Sequence, residues 1–176
     1  MILGKLNFTH RNQRGFTMIE MLVSLAITGF ISLGATIASA QVLNETSRNN
    51  DATAASRQSM NAIFWISRDA QMALTTAGAA DFPNTGNLTF TWKEWDNSVH
   101  QASYSLVNGE LRRAYSVDGG TENFTLVAEY INPDAALTNS VSDNGVLTVK
   151  ITSSVGEGDR IVNITKSRQV ASRPNL

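Results

Sequence analysis

The 176-residue chain has no cysteine, two histidines and three prolines. Without cysteine there is no disulfide and no thiolate ligand, so the fold must be held by packing alone, and thiol usage carries no message about compartment. His10 and His100 are the whole imidazole complement. No Gly-rich phosphate loop and no G-x-S-x-G elbow is present. No catalytic constellation emerges, and the chain is expected to be neither an enzyme nor dependent on a cofactor or metal. Charge is nearly balanced, with 14 Lys and Arg against 15 Asp and Glu. That excludes a general polyanion-binding surface, so no nucleic-acid partner is inferred.

The most informative absence is local. From Phe16 to Ala40 the only ionisable side chain is Glu20. This run exceeds the roughly 20 apolar residues needed to cross a bilayer. It is diluted by Ser24, Thr28, Ser32, Thr36, Ser39, Gly29 and Gly34, which makes it a modestly hydrophobic span, able to leave lipid for a protein environment. Before it stands Met1–Gly15, with Lys5, Arg11 and Arg14 and no acid. This leader is not an ordinary secretory signal, because its apolar core comes after the small residue Gly15 instead of preceding it. Basic residues ahead of the span place the N-terminus in the cytoplasm and export the rest of the chain. Glu20 is costly within such a span, by about 2.5 kcal/mol or more. No basic residue lies at i+3 or i+4, where Val23 and Ser24 stand, so its partner is expected from outside its own helix. The cheapest one is an α-amino group made by cutting between Gly15 and Phe16. The alternative is a hydrated carboxylate at the membrane interface.

Gly15-Phe16-Thr17-Met18-Ile19-Glu20 resembles the class III signal of type IV pilins and type II secretion pseudopilins. The resemblance covers about the first quarter of the chain. It implies that prepilin peptidase cuts after Gly15 and methylates the nitrogen of Phe16. It also implies that Glu20 pairs with the Phe16 amine of a neighbouring subunit, and that an inner-membrane assembly platform builds the filament. The fold implied is α+β: a long N-terminal helix, membrane-spanning in its first half, packed on an antiparallel β-sheet. The span lacks the proline that many major pilins carry, and the chain lacks the disulfide that staples many pilin C-terminal loops. The missing proline points toward a minor pilin or pseudopilin.

The expected organisation is a leader at 1–15, a filament-core helix at 16–40, an exported half of the helix at 41–76 and a β head at 77–176. Gln41–Leu74 contains neither Gly nor Pro, and Met60, Ile63, Phe64, Ser67, Ala70 and Leu74 fall near the spacing of one buried helical stripe. Arg57, Asn61, Arg68 and Gln71 are expected to face water. Ala77–Ala80 ends the helix and 81–86 is a loop. Leu88, Phe90 and Trp92 then alternate with polar residues, the period-2 signature of a half-buried strand. Val99–Val107 and Glu110–Val117 continue a meander, joined by Asn108-Gly109, whose residues tolerate positive φ. Phe124–Ile131 is a fourth strand. After a polar loop, Val146–Ser153 and Arg160–Lys166 form a second hairpin, and Ser167–Leu176 reads as a loose tail.

Three softer features resemble the pseudopilin J and PilW-type minor pilins: Ile66–Gln71 late in the helix, the Tyr104–Arg113 hairpin, and the closing β-hairpin. That resemblance suggests Arg68-Asp69 helps the helix meet the sheet, while the plainer expectation is an exposed pair of little energetic weight. Asp118, Asp143, Glu157 and Asp159 sit in turns; calcium binding is one reading and turn formation the better one. Asn44, Asn87, Asn123 and Asn163 open N-x-T triplets that read as chance. Trp65, Trp92 and Trp95 suggest core packing ahead of a ligand-stacking patch. Three function classes remain: a filament subunit, favoured here; an anchored or tip-located binding module for DNA, a surface or a secreted substrate; and a tethered enzyme.

Overall fold

The computed structural model describes residues 15–84 and 86–172. The leader up to Arg14, Thr85 and the last residues of the expected tail, Arg173–Leu176, lie outside the described residues. Among the described residues one α-helix, α1 (Met18–Met72), is followed by eight strands. The chain divides into two compact units, Met1–Glu45 and Thr46–Leu176.

In the first unit, α1 is exposed along its whole described length. Three of its hydroxyls are satisfied within the helix. Ser24 Oγ donates to the Met21 carbonyl at 3.0 Å, Thr28 Oγ1 to Ser24 at 2.8 Å and Thr36 Oγ1 to Ser32 at 2.9 Å. Such back-bonding removes the free hydroxyls that lipid would penalise. Length and composition make this helix able to cross a membrane.

The second unit is the head. Strands β1 (Thr75–Ala77), β2 (Leu88–Lys93), β3 (Val99–Val107), β4 (Glu110–Val117) and β5 (Asn123–Ala128) form an antiparallel sheet in that order. Strands β6 (Asn139–Asp143), β7 (Val146–Val155) and β8 (Val162–Ala171) form a second, three-stranded one. The tight β3–β4 turn has positive φ at both Asn108 and Gly109, 51° and 79°, as a type I′ hairpin requires. Register places Leu88, Tyr104 and Arg113 in one row across the first sheet, and Phe90, Ala102 and Tyr115 in the next. These rows face the helix. Ala62, Ile66 and Ala70 of α1 join Leu88, Phe90, Leu111, Leu147, Val149 and Ile151 in one core, so α1 and both sheets share it. Polar ties reinforce the contact. Asn61 Nδ2 donates to the Val127 carbonyl at 3.1 Å, and Gln58 Oε1 accepts the Glu129 N–H at 3.0 Å.

Several expectations need correction. The helix ends at Met72, not at 76, because Thr75–Ala77 pairs with β2 and the Leu74 N–H donates to Thr91 O at 2.9 Å. The buried stripe is turned round the helix from its expected position. Ile63, Ser67 and Ala70 are buried as expected, but Ala55, Ser59, Ala62, Ile66 and Asp69 are buried with them, while Met60 and Phe64 stay 59% and 56% exposed. Small side chains let the helix backbone approach the sheet closely; Met60 and Phe64 would hold it off. Strand β5 stops at Ala128, short of Ile131, which instead makes an isolated bridge to Ser153 of β7. The polar loop before Asp143 contains β6. The tail is not loose through Ala171: β8 runs to that residue, paired along its length with β7. The Gly156–Gly158 turn runs on into a 3-10 turn, Gly158–Arg160.

Candidate functional site

At the N-terminus, residues 15–17 are non-helical and exposed, and α1 begins at Met18. Thr17 therefore occupies the N-cap and Glu20 the third helical position. The Glu20 backbone N–H donates to Thr17 Oγ1 at 3.3 Å, and Glu20 Oε2 accepts from the Thr17 N–H at 3.1 Å and from Thr17 Oγ1 at 3.0 Å. This reciprocal arrangement is a capping box, which satisfies two of the donors a helix start leaves bare. Glu20 thus does have a partner in its own chain, contrary to the expectation of an external one alone; the T-x-x-E spacing that predicts it was in plain sight. All three hydrogen bonds use Oε2 or the backbone, which leaves Oε1 open to a further donor. Phe16, Ile19, Val23 and Ile27 line one shallow apolar groove with Glu20 and Ser24. Phe16 itself is 84% exposed. Its nitrogen is part of the peptide bond to Gly15, so the amine that would pair with a carboxylate exists only after cleavage there.

The head holds a second polar constellation, which the sequence reading missed. Asp69 of α1 is fully buried. Its Oδ2 accepts from the Tyr104 hydroxyl at 2.6 Å and from Arg113 Nε at 2.6 Å, and its Oδ1 accepts from Arg113 Nη2 at 3.2 Å. Arg113 is also nearly buried, and its guanidinium lies 5.4 Å from the Trp65 ring centroid and 4.7 Å from that of Tyr115. A buried charge persists only when paired and hydrogen-bonded, and this one is both. Burial, and then the neighbouring Asp69 carboxylate, push the Tyr104 hydroxyl far above its ordinary range. For Arg113, burial opposes the charge, but the bonds from Asp69 outweigh it and the net shift is upward. The expectation of an exposed Arg68-Asp69 pair is therefore wrong. Arg68 is exposed, and Asp69 turns inward to a residue 44 positions away. The available clue was an acid at the spacing of Ala62, Ile66 and Ala73 on the buried face.

Next to this cluster, the Trp92 and His100 rings stack with centroids 5.5 Å apart and planes 12° from parallel. His100 Nδ1 is 2.5 Å from the Tyr115 hydroxyl and its Nε2 is 2.8 Å from Ser98 Oγ, which in turn lies 2.6 Å from Asp96 Oδ1. Of the three tryptophans, Trp92 is core, Trp65 is half-buried and Trp95 is 93% exposed at the β2–β3 turn, so they make no common patch. Asp118 Oδ1 accepts the Val99 N–H at 2.7 Å, which gives that acid a turn-forming role. Among the described residues no group of three or more His, Cys, Asp or Glu is placed to hold a metal ion.

Residues 10–36 match the family profile described as the prokaryotic N-terminal methylation motif. No curated protein and no solved structure matches the chain. The matched segment brackets Gly15, Phe16 and Glu20 and runs into the exposed helix, so the chain carries a type IV pilin-like N-terminal methylation signal in register with an apolar helix of membrane-spanning length.

Proposed function

We propose that this chain is a minor pilin or pseudopilin, a structural subunit of a type IV pilus or a type II secretion pseudopilus, and not a catalyst. The observation that carries this reading is the methylation motif set on a helix whose apolar side chains, through Leu43, are all left uncovered. Exposed apolar surface of that extent needs lipid or other helices around it. Prepilin peptidase cuts between Gly15 and Phe16, in the short non-helical segment before Met18, and methylates the new Phe16 nitrogen. The mature chain then rests in the inner membrane by a single span, N-terminus cytoplasmic and head exported. On the assembly platform, the Phe16 amine of one subunit reaches the free Oε1 of Glu20 on its neighbour. A charge pair in a lipid-like setting has few competing partners, so it fixes axial register while the apolar helices supply area. Met60 and Phe64, left out of the head's own core, add apolar surface on the exported part of the helix.

Within that family, the pseudopilin J and PilW-type group fits best. Two of the three sequence stretches that suggest it, Ile66–Gln71 and Tyr104–Arg113, supply the buried Asp69–Tyr104–Arg113 cluster.

The test is mass spectrometry of the protein recovered from cells that make prepilin peptidase. The expected product begins at N-methylated Phe16. Glu20→Gln is expected to be cleaved and folded normally yet absent from sheared filaments. An intact leader, or Glu20→Gln polymers at normal abundance, refutes the proposal. Neighbouring genes separate the two systems: a retraction motor marks a pilus and an outer-membrane channel a secretion system.

A further inference from the structure

We propose that the solvent face of α1 in the head is a docking row for a helix of a different pilin-like subunit, one that carries an apolar pair between two acids. The inference rests on the filament-subunit reading and names the neighbour. Thr53, Arg57, Met60, Phe64 and Arg68 follow one another at steps of three or four residues and are all exposed, so they form one row along the side of α1 that faces away from the head's core. A lone exposed apolar side chain is ordinary. Met60 and Phe64 differ in being one turn apart, both more than half exposed, with nothing polar between them on the row. With Arg57, Gln58 and Asn61 they line one shallow groove.

The groups around this pair decide what fits it. Gln58 and Asn61 are already committed, to the Glu129 N–H and the Val127 carbonyl at the end of β5. Arg57 is the groove's remaining polar group. Among the described residues no acid comes within ion-pair distance of Arg57 or Arg68. Glu94 shares a cleft with Arg68 without reaching that distance, and Asp69 is bound to Arg113. Arg68 rests over the Trp65 ring, 5.2 Å from its centroid, and stays exposed. The row thus reads Arg, Met, Phe, Arg along about 16 Å of helix. This order is nearly palindromic. A second copy would set Arg57 against Arg57 in a parallel pair, or Arg57 against Arg68 in an antiparallel one, and like charges across an interface are penalised. A helix with an Asp or Glu three or four residues outside each end of an apolar pair meets both arginines and covers Met60 and Phe64 between them. The guanidinium fork suits a carboxylate at each end. The convex face of one helix takes up another by seating ridges in grooves, which favours a helical partner.

The test uses the whole chain in cells that make its assembly machinery. The photo-crosslinker p-benzoylphenylalanine replaces Thr53, which lies on the row but outside the apolar pair and whose hydroxyl donates within α1, to the Asn49 carbonyl at 2.8 Å. After irradiation, mass spectrometry identifies the linked peptide. The expected adduct lies on a helix of a different subunit, with acids flanking an apolar pair at the stated spacing. Changing Arg57→Glu and Arg68→Glu together should lower its yield about tenfold, and lysines in place of the partner's acids should restore it. Both arginines are exposed, so the double variant should keep the wild-type thermal midpoint and normal cleavage before Phe16. The inference is overturned by an adduct chiefly on a second copy, on a helix without such acids or on a non-helical segment. It is equally overturned by a yield that the double variant leaves unchanged, or by no adduct from chains that are cleaved and present in sheared filaments. A chain left uncleaved after Gly15 overturns the filament reading itself, and the same mass spectra tell that outcome apart from the others.

Discussion

Asp69→Ala is the sharpest probe of the head. The substitution deletes a fully buried carboxylate that accepts three hydrogen bonds, two from Arg113 and one from Tyr104. What remains is worse than a lost contact, since the Arg113 charge stays buried among Trp65, Tyr115 and Tyr104 with nothing to neutralise it. Breaking a buried pair this way costs about 3–5 kcal/mol, against a total stability of roughly 5–15 kcal/mol for a domain. At roughly 2–4 °C per kcal/mol, the midpoint should fall by on the order of 10 °C. The assay is thermal unfolding of the full chain in detergent, monitored by near-ultraviolet circular dichroism, which reports the packed Trp65 and Trp92. The informative comparison is the apolar pair Asp69→Leu with Arg113→Met. Removing both charges removes the desolvation cost with the attraction, so the double variant should recover most of the loss in spite of carrying two changes. If Asp69→Ala shifts the midpoint by less than about 2 °C, or if the two changes prove additive, then Asp69 is not the keystone of the helix–sheet contact and the reasoning fails.

Other parts of the chain yield three further predictions. Because burial raises the Tyr104 pKa above its ordinary value of 10.0, stability should be flat below pH 10 and decline as pH rises beyond it, by at most about 1.4 kcal/mol per pH unit; Tyr104→Phe should remove that part of the alkaline slope, as measured by denaturant melts from pH 8 to 11. At Gly78, φ is +74° and a Cβ would collide with the Asn87 carbonyl oxygen, so Gly78→Ala should destabilise the head by about 1–3 kcal/mol in urea unfolding, without a change in m-value. Thr17→Ala removes one half of the capping box and should cost the first turn about 1 kcal/mol, seen as faster amide exchange at 18–21 while the head's exchange is unchanged.

Some elements were legible because their cause is local. Leu88–Lys93 and most of Val99–Val107 alternate apolar and polar side chains, Glu110–Val117 follows from the Asn108-Gly109 turn, and each appears as a strand with those bounds. Asn108-Gly109 names its turn by chemistry, since few other pairs accept two positive φ values. The T-x-x-E box needs no partner outside its own helix. Other elements were hidden because their cause is remote. Thr75–Ala77 and Asn139–Asp143 are short and barely alternate; they are strands because β2 and β7 offer unpaired edges beside them. Gln169, Val170 and Ala171 look like the start of a polar tail until they stand opposite Thr148, Leu147 and Val146.

The same division holds for the two polar sites. Covalent order alone fixed the N-terminal one: Gly15, Phe16 and Thr17 are consecutive, and the first turn of α1 brings Glu20 back onto the Thr17 N-cap in any surroundings. Tertiary structure decided which face of α1 is buried, because Ala55, Ser59 and Ala62 gain their value from the closeness they allow, not from their own hydrophobicity. It also decided the fate of Asp69. A carboxylate beside an arginine on a helix reads as solvated, and only the arrival of Tyr104 and Arg113, 35 and 44 residues along the chain, makes the interior a place where its charge can stay.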